Sequence, residues 1–452
     1  MLKKPENQKI AICGLGQEGV SVANFLGSQN QITVIDKKPK KDLHEFLQNL
    51  KVNFDFYQEN EIPENLHFDL IFRSPGIRPD DEILNKIKSE NSKLTSVTNL
   101  FFELCPAKII GITGTKGKGT TSTLITLMLK EDEKDAHLAG NIGLPALDIL
   151  ENLTENSYAV LELSSFQLMG LDKSPHLSVV LMITSEHLDW HTTKEEYHDA
   201  KATIVQYQTP NDLAVINQDF EISKSFSQKT KGKVFFFSTK EESNGAFIKN
   251  DKIVSTIGGE EEIISTNEIA LPGAHNLQNA LAATVAVKLL GVKKQSITKV
   301  LKSFKGLEHR LQLVRELNGT KYYNDTFSTT PETTIAAINS FPEPKILILG
   351  GSSKNSDFTE LGRVLVQSTS LKTLILIGLE SQNIKQAIAK AGGFKGNIKE
   401  GLQNMKQIVD FAQKDARKGD IVLLSPACAS FDMFKNYKER GKEFIALVNE
   451  LN

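Results

Sequence analysis

ITGTKGKGTTSTLITLML, residues 112–129, follows the apolar run KIIGIT at 108–113 and reads as a strand, a glycine loop and a helix. Gly114 and Gly117 let the backbone approach a phosphate closely. Loop amides and the helix N-terminus supply donors and partial positive charge, and Lys118 adds a point charge. The regular phosphate-loop pattern is GxxxxGK[ST]. This chain departs from it twice, with Ile112 at the first glycine position and Gly119 at the hydroxyl position. Thr120 and Thr121 follow at once and offer the missing hydroxyl. An incidental glycine turn is the competing reading. A lysine flanked by glycines where a β-branched run passes into a helix argues against it. The loop specifies a nucleotide and leaves the reaction open.

Two further stretches share its grammar. KIAIC at 9–13 runs into GLGQEG at 14–19, and KILIL at 345–349 runs into Gly350 and Gly351. Short apolar runs alternating with helical patterns predict parallel α/β sheets. QITVID (31–36), YAVLEL (158–163), SVVLMIT (178–184), LAVIN (213–217), TLILIG (373–378) and DIVLLSP (420–426) fit as strands. Residues 232–270 are short, alternating and polar, and read as β-hairpins decorating a central domain. A helix is predicted from about Asn276 to Leu290. At 452 residues the chain exceeds one ordinary core. Boundaries near 98 and 306 give domains 1–98, 99–306 and 307–452.

Bulk composition excludes more than it selects. The net charge is −2, from 53 basic and 55 acidic residues. This gives no global field for nucleic acid or an anionic membrane, so an anionic substrate must be held locally. Three dispersed cysteines, Cys13, Cys105 and Cys428, fit a reducing compartment rather than a disulfide framework or a zinc site. No signal-peptide pattern and no 18-residue apolar run occurs, so a cytoplasmic location is expected.

Several polar clusters sit at predicted strand ends, where α/β sheets place their sites. Glu162 closes the strand in VLELSSFQL, and His187, Asp189 and His191 follow the next strand in MITSEHLDWH. A mixed carboxylate–imidazole set beside phosphate suits Mg²⁺ or Mn²⁺ better than zinc. Taken alone, Glu162 reads as a solvated glutamate and Lys201, in EEYHDAKATIV, as surface filler. His275, Asn276 and Asn279 open a helix, where asparagine is a good cap. GLEHRLQLV supplies His309 and Arg310, and YYNDTFSTT supplies Asn324 and Asp325. Arginine is a natural clamp for a transferring phosphoryl group. GLGQEG, with Asp36 seventeen residues after Gly19, is a weak dinucleotide hint that would support an oxidoreductase.

In this order, the phosphate loop, ELSSFQ, HLDWH, HNLQN, EHR and ND segments resemble the Mur ligases over about residues 9–445. SPGI at 74–77, LELSSFQL and LSPACASFDMFKNYKERGKEF are similar to the member of that family that adds D-glutamate. The resemblance implies three domains: a Rossmann-like N-terminal one, a central P-loop one with a small β-hairpin extension, and a Rossmann-like C-terminal one. It implies an ATP-dependent amide ligase of peptidoglycan precursor synthesis, acting as a monomer on UDP-N-acetylmuramoyl-L-alanine and D-glutamate. Gly14, Leu15, Gly16, Asp36, Lys37, Ser74, Gly76 and Asn141 would bind the UDP substrate. Gly114, Thr115, Lys116, Gly117, Lys118, Gly119, Thr120, Asn276, His309, Arg310 and Asp325 would bind ATP.

By the same resemblance Glu162, His187 and Thr120 would hold Mg²⁺, joined by Lys201 once CO₂ has carbamylated it. Lys118, Lys201, His187 and Arg310 would be catalytic, while Thr329, Lys354, Ser430, Phe431 and Tyr437 would receive the amino acid. The chain departs from the family pattern at four places. Gly119 replaces a hydroxyl residue, Lys116 an asparagine, Phe327 a lysine and Tyr437 a phenylalanine. Rival readings are a relative using another amino acid and a nucleotide-binding relative without catalysis.

Overall fold

A computed structural model describes residues 4–64, 66–184, 190–352 and 356–452. His187, Asp189 and Lys354 lie outside the described residues. The chain divides into two compact units, residues 1–269 with 275–302, and residues 270–274 with 303–452.

The first unit carries two sheets. In the first sheet the strand order is Phe54–Gln58, Gln31–Asp36, Lys9–Cys13, Leu70–Arg73, Lys93–Thr95, all parallel. Lys9–Cys13 is buried beyond its first residue, as a strand covered on both faces must be. The chain leaves it toward Gln31–Asp36 on one side, while Leu70–Arg73 joins on the other. The strand order therefore reverses at the ends of these two strands, and such a switch point opens a crevice.

The second sheet runs Glu261–Ser265, Lys252–Ser255, Ala246–Lys249, Lys233–Ser238, Leu213–Asn217, Leu177–Val180, Lys108–Thr113, Tyr158–Glu162, Ala136–Gly140. Here the expectation for 232–270 needs correction. Lys233–Ser238 pairs in parallel with Leu213–Asn217 and extends the main sheet. Only the two pairings from Ala246 to Ser265 are antiparallel hairpins, and they continue the same sheet. The run VFFF inside Lys233–Ser238 is apolar on both faces of the strand, the pattern of a parallel strand that an alternating-hairpin reading overlooks.

The second unit has one six-stranded sheet: Gln312–Leu317, Thr320–Asn324, Ile421–Leu424, Lys345–Gly350, Leu371–Ile377, Asn397–Lys399. Its edge hairpin is antiparallel and the rest is parallel. Leu347 and Leu349 pack in one apolar cluster and Ile346 and Ile348 in another, so the period-2 alternation of the strand feeds two layers of helices. Three α/β parts with parallel-rich sheets are thus what the sequence predicted. Among the described residues no helix is long and apolar enough to cross a membrane.

Candidate functional site

At the switch point of the first sheet the GLG turn and the SPG turn meet. Gly14 has φ +83°, a left-handed conformation that glycine adopts without strain. Ser74 Oγ donates to the Gly14 carbonyl, and Ser74 N donates to Cys13 O at 2.9 Å. Asp36 ties down the turn: its carboxylate accepts from Leu15 N at 2.7 Å and from Lys38 N at 2.8 Å.

Gly14, Leu15, Gly16, Asp36, Ser74, Gly76 and Asn141 all line one cavity of about 390 Å³. Seven of the eight residues proposed for the UDP substrate therefore converge. The eighth, Lys37, is paired with Asp81 at 2.8 Å and is outside the lining. Glu18 also lines the cavity, a residue the sequence reading passed over. One of its oxygens accepts from Gln167 Nε2 at 2.6 Å, while the other is buried without a hydrogen-bond partner among the described residues. Burial raises its carboxyl above the ordinary range. Its position inside GLGQEG was the available signal.

The cavity abuts the second sheet. Asn141 donates from Nδ2 to Glu162 Oε1 at 3.0 Å, and its backbone N–H reaches Glu162 O at 3.0 Å. Glu162 is 6% exposed, at the C-terminal end of its strand. The strand Lys108–Thr113 lies beside it and ends in the glycine loop. Gly117 precedes the helix Lys118–Glu131 with φ +88°. Lys118 Nζ curls onto the loop, donating to Gly114 O at 3.0 Å and Thr115 O at 3.2 Å.

The two candidate hydroxyls separate here. Thr121 donates to Asn279 Oδ1 at 3.3 Å, and Thr120 is 5% exposed. Asn279 in turn donates to Asn276 Oδ1 at 3.0 Å. The helix containing both begins at Ala274, so Asn276 lies within its first turn and is not a cap. Lys201 is 2% exposed, and its ammonium donates to Gly114 O at 3.0 Å and lies 4.8 Å from the Tyr197 ring centre. The reading of Lys201 as surface filler fails on this burial.

In the second unit, His309 has φ +68° and accepts at Nδ1 from Asn324 Nδ2 at 2.9 Å. Burial keeps its imidazole below the usual value. The Arg310 guanidinium lies over the Phe327 ring at 4.4 Å, and Phe327 meets Tyr437 edge-on at 5.4 Å. Asp325 is 1% exposed and accepts from Leu311 N at 3.0 Å and Ser425 Oγ at 2.7 Å. Its burial outweighs these hydrogen bonds and pushes the carboxyl up to about 6. Thr329 N donates to Phe327 O at 2.9 Å. Ser430 is buried, whereas Phe431 is among the most exposed large apolar side chains described.

Comparison with known proteins gives relatives over the length of the chain. Residues 8–96 match the family model of the Mur ligase MurD-like N-terminal domain, residues 112–287 the Mur ligase middle domain, and residues 309–428 the Mur ligase glutamate ligase domain. The chain is 40% identical to the UDP-N-acetylmuramoylalanine–D-glutamate ligase of Acetivibrio thermocellus, over 99% of this chain and 98% of that one. It is 38% identical to the enzyme of the same name from Clostridioides difficile, over 99% of each. Among solved structures it resembles the UDP-N-acetylmuramate–alanine ligase of Thermotoga maritima, with TM-score 0.61, 17% identity, and 98% and 99% of the two chains covered. It also resembles a MurF ligase of Acinetobacter baumannii, with TM-score 0.62, 17% identity, and 97% and 93% covered.

Proposed function

The chain belongs to the Mur ligase family, and from that premise we propose the following reading of its site. It is an ATP-dependent ligase that adds D-glutamate to UDP-N-acetylmuramoyl-L-alanine in peptidoglycan precursor synthesis. The observation that carries the assignment to particular residues is the Asn141–Glu162 contact. It joins the cavity of the first sheet to the strand end beside the phosphate loop. A sugar nucleotide lying in that cavity would present its L-alanyl carboxylate toward the γ-phosphate.

The chemistry follows from charge. A carboxylate is a poor electrophile, so transfer of the γ-phosphoryl group to its oxygen gives an acyl phosphate and ADP. The neutral amine of D-glutamate then attacks the carbonyl, and the tetrahedral adduct expels phosphate. The protein contributes placement and neutralisation. Lys118 and the loop amides would hold the phosphates, and Asn276, His309 and Arg310 are the further residues that the family resemblance assigns to ATP. Thr329, Ser430, Phe431 and Tyr437, with Lys354, receive D-glutamate.

Glu162 and Thr120, with His187, are the groups that would hold Mg²⁺. An oxygen-rich set with one imidazole suits a hard divalent ion, which would neutralise phosphate charge when bound. Among the described residues no three His, Cys, Asp or Glu side chains converge. Mg²⁺ commonly takes further ligands from phosphate and water. Lys201, buried against the loop, is the candidate for carbamylation, which would replace a cation by an anion there. We place the reaction in the cytoplasm and the enzyme as a monomer.

Phosphate release tests the whole reading. It is measured with ATP, Mg²⁺ and UDP-N-acetylmuramoyl-L-alanine, supplying D-glutamate, L-glutamate, L-alanine or meso-diaminopimelate in parallel. Release with D-glutamate alone is expected. Release only with another amino acid would move the specificity, and silence with all four would remove the ligase assignment.

A further inference from the structure

The loop Ser74–Ile77, which lines the cavity, is flanked by two arginines that both reach the central sheet's helices and loops. Arg73, 4% exposed, donates to Ile77 O at 2.6 Å and also to Phe166 O at 3.2 Å and Met169 O at 2.7 Å. Arg78 donates to Trp190 O at 2.6 Å and grips the Glu196 carboxylate with both terminal nitrogens, at 2.9 and 3.2 Å. Its guanidinium lies 5.2 Å from the Trp190 ring centre. Trp190 closes the circuit, because its indole N–H donates to Gly76 O at 3.0 Å.

Glu196 lies in the first turn of the helix Lys194–Gln206. One residue on, Tyr197 shares a hydroxyl contact of 3.0 Å with Thr115 of the phosphate loop. One turn further, Lys201 donates to Gly114 O. Hydrogen bonds from Arg78 hold the Glu196 carboxyl down at about 2, so the pair is ionised across the working range. A bidentate arginine–carboxylate pair fixes orientation as well as distance, unlike a lysine contact.

We propose that Arg78, with Glu196 and Trp190, is a positioning residue for the ligation, clamping the Ser74–Ile77 substrate loop in register with the helix that carries Tyr197 and Lys201 to the phosphate loop. None of the three touches the reacting atoms. Their effect is on the set of the loop that lines the cavity, and a loop that must be ordered when the sugar nucleotide binds costs substrate affinity. This rests on the reading of the cavity as the UDP-substrate site.

The test is steady-state kinetics with each substrate varied in turn, together with equilibrium binding of ADP. Arg78→Met and Glu196→Gln should each lower kcat/KM for UDP-N-acetylmuramoyl-L-alanine by roughly tenfold to a hundredfold, mainly through KM. ADP affinity should stay within about twofold, since the phosphate loop keeps its own bonds. A purely structural role would instead lower kcat through the active fraction and leave KM where it was, which overturns the proposal. So does an unchanged KM in Glu196→Gln, the variant that keeps the test open should Arg78→Met not fold. If the wild-type protein does not use this substrate at all, the functional reading fails first, and the two failures are told apart.

Discussion

Replacing Gly117 by alanine is the sharpest probe of the phosphate loop. Gly117 sits at φ +88°, where an L-residue is strained by roughly 1–2 kcal/mol. Its new Cβ would also collide with Asn279 Oδ1 and stand 3.2 Å from Asn279 Cγ. Asn279 cannot swing away freely, being 4% exposed and bonded to Thr121 and Asn276. Breaking those two bonds costs about 1 kcal/mol each. The loop conformation shown is thus penalised by about 3–4 kcal/mol, the sum of these estimates. At about 1.4 kcal/mol per decade this is roughly a hundredfold to a thousandfold in nucleotide affinity. Isothermal titration of ADP into the wild-type and Gly117→Ala proteins reads the effect. Gly291→Ala is a control for left-handed strain outside the loop, since Gly291 also has positive φ (+75°) but nothing lies within 4 Å of its Cβ position. It should lower stability by about 1 kcal/mol and leave ADP affinity alone. ADP binding by Gly117→Ala within threefold of wild type would refute this account of the loop.

Three other outcomes are expected. Lys118→Ala should abolish phosphate release while UDP-substrate binding by calorimetry persists; retained release would exclude Lys118 from phosphate handling. Phe327→Leu removes the ring beneath Arg310, a contact worth about 0.5–1 kcal/mol when partly exposed. The fall in kcat/KM for ATP should be roughly two- to fivefold, Phe327→Tyr should restore it, and equal rates for Leu and Phe would dismiss the platform. Lys345 is fully buried and its ammonium is pushed down to about 8 by burial. Between about pH 8 and 10.5 the unfolded chain therefore binds more protons, so stability rises with pH there, by up to about 3 kcal/mol. Urea unfolding should show that rise in the wild type and its loss in Lys345→Met.

Much of the molecule was legible because its signals are local. QITVID and LAVIN are strands over the same residues in sequence and structure, since an apolar run bounded by polar residues has few other fates. SVVLMIT is shorter than expected, with the strand ending at Val180. Beyond it the backbone turns to other partners, Thr184 N going to Thr115 Oγ1. The glycine loop was readable for the same local reason, because a left-handed glycine leaves a mark in sequence, whereas the strand-end Glu162, read alone as solvated, is 6% exposed.

Contacts between distant segments leave no such mark. Nothing in EEYHDAKATIV distinguishes a lysine 2% exposed against the phosphate loop from one in solvent, and only the packing of its helix decides. Arg78 and Glu196 carry no motif and Trp190 is a position of HLDWH given no role, yet they meet because two sheets bring residues more than 110 positions apart to one place. The bond of Thr121 likewise waited for Asn279 to arrive from another helix. By itself the sequence determined the strands, the glycine turns and the chemical types at their ends. Which of those groups face one another, and which are buried enough to matter, was decided by the tertiary structure, because burial and pairing are properties of neighbours rather than of spacing.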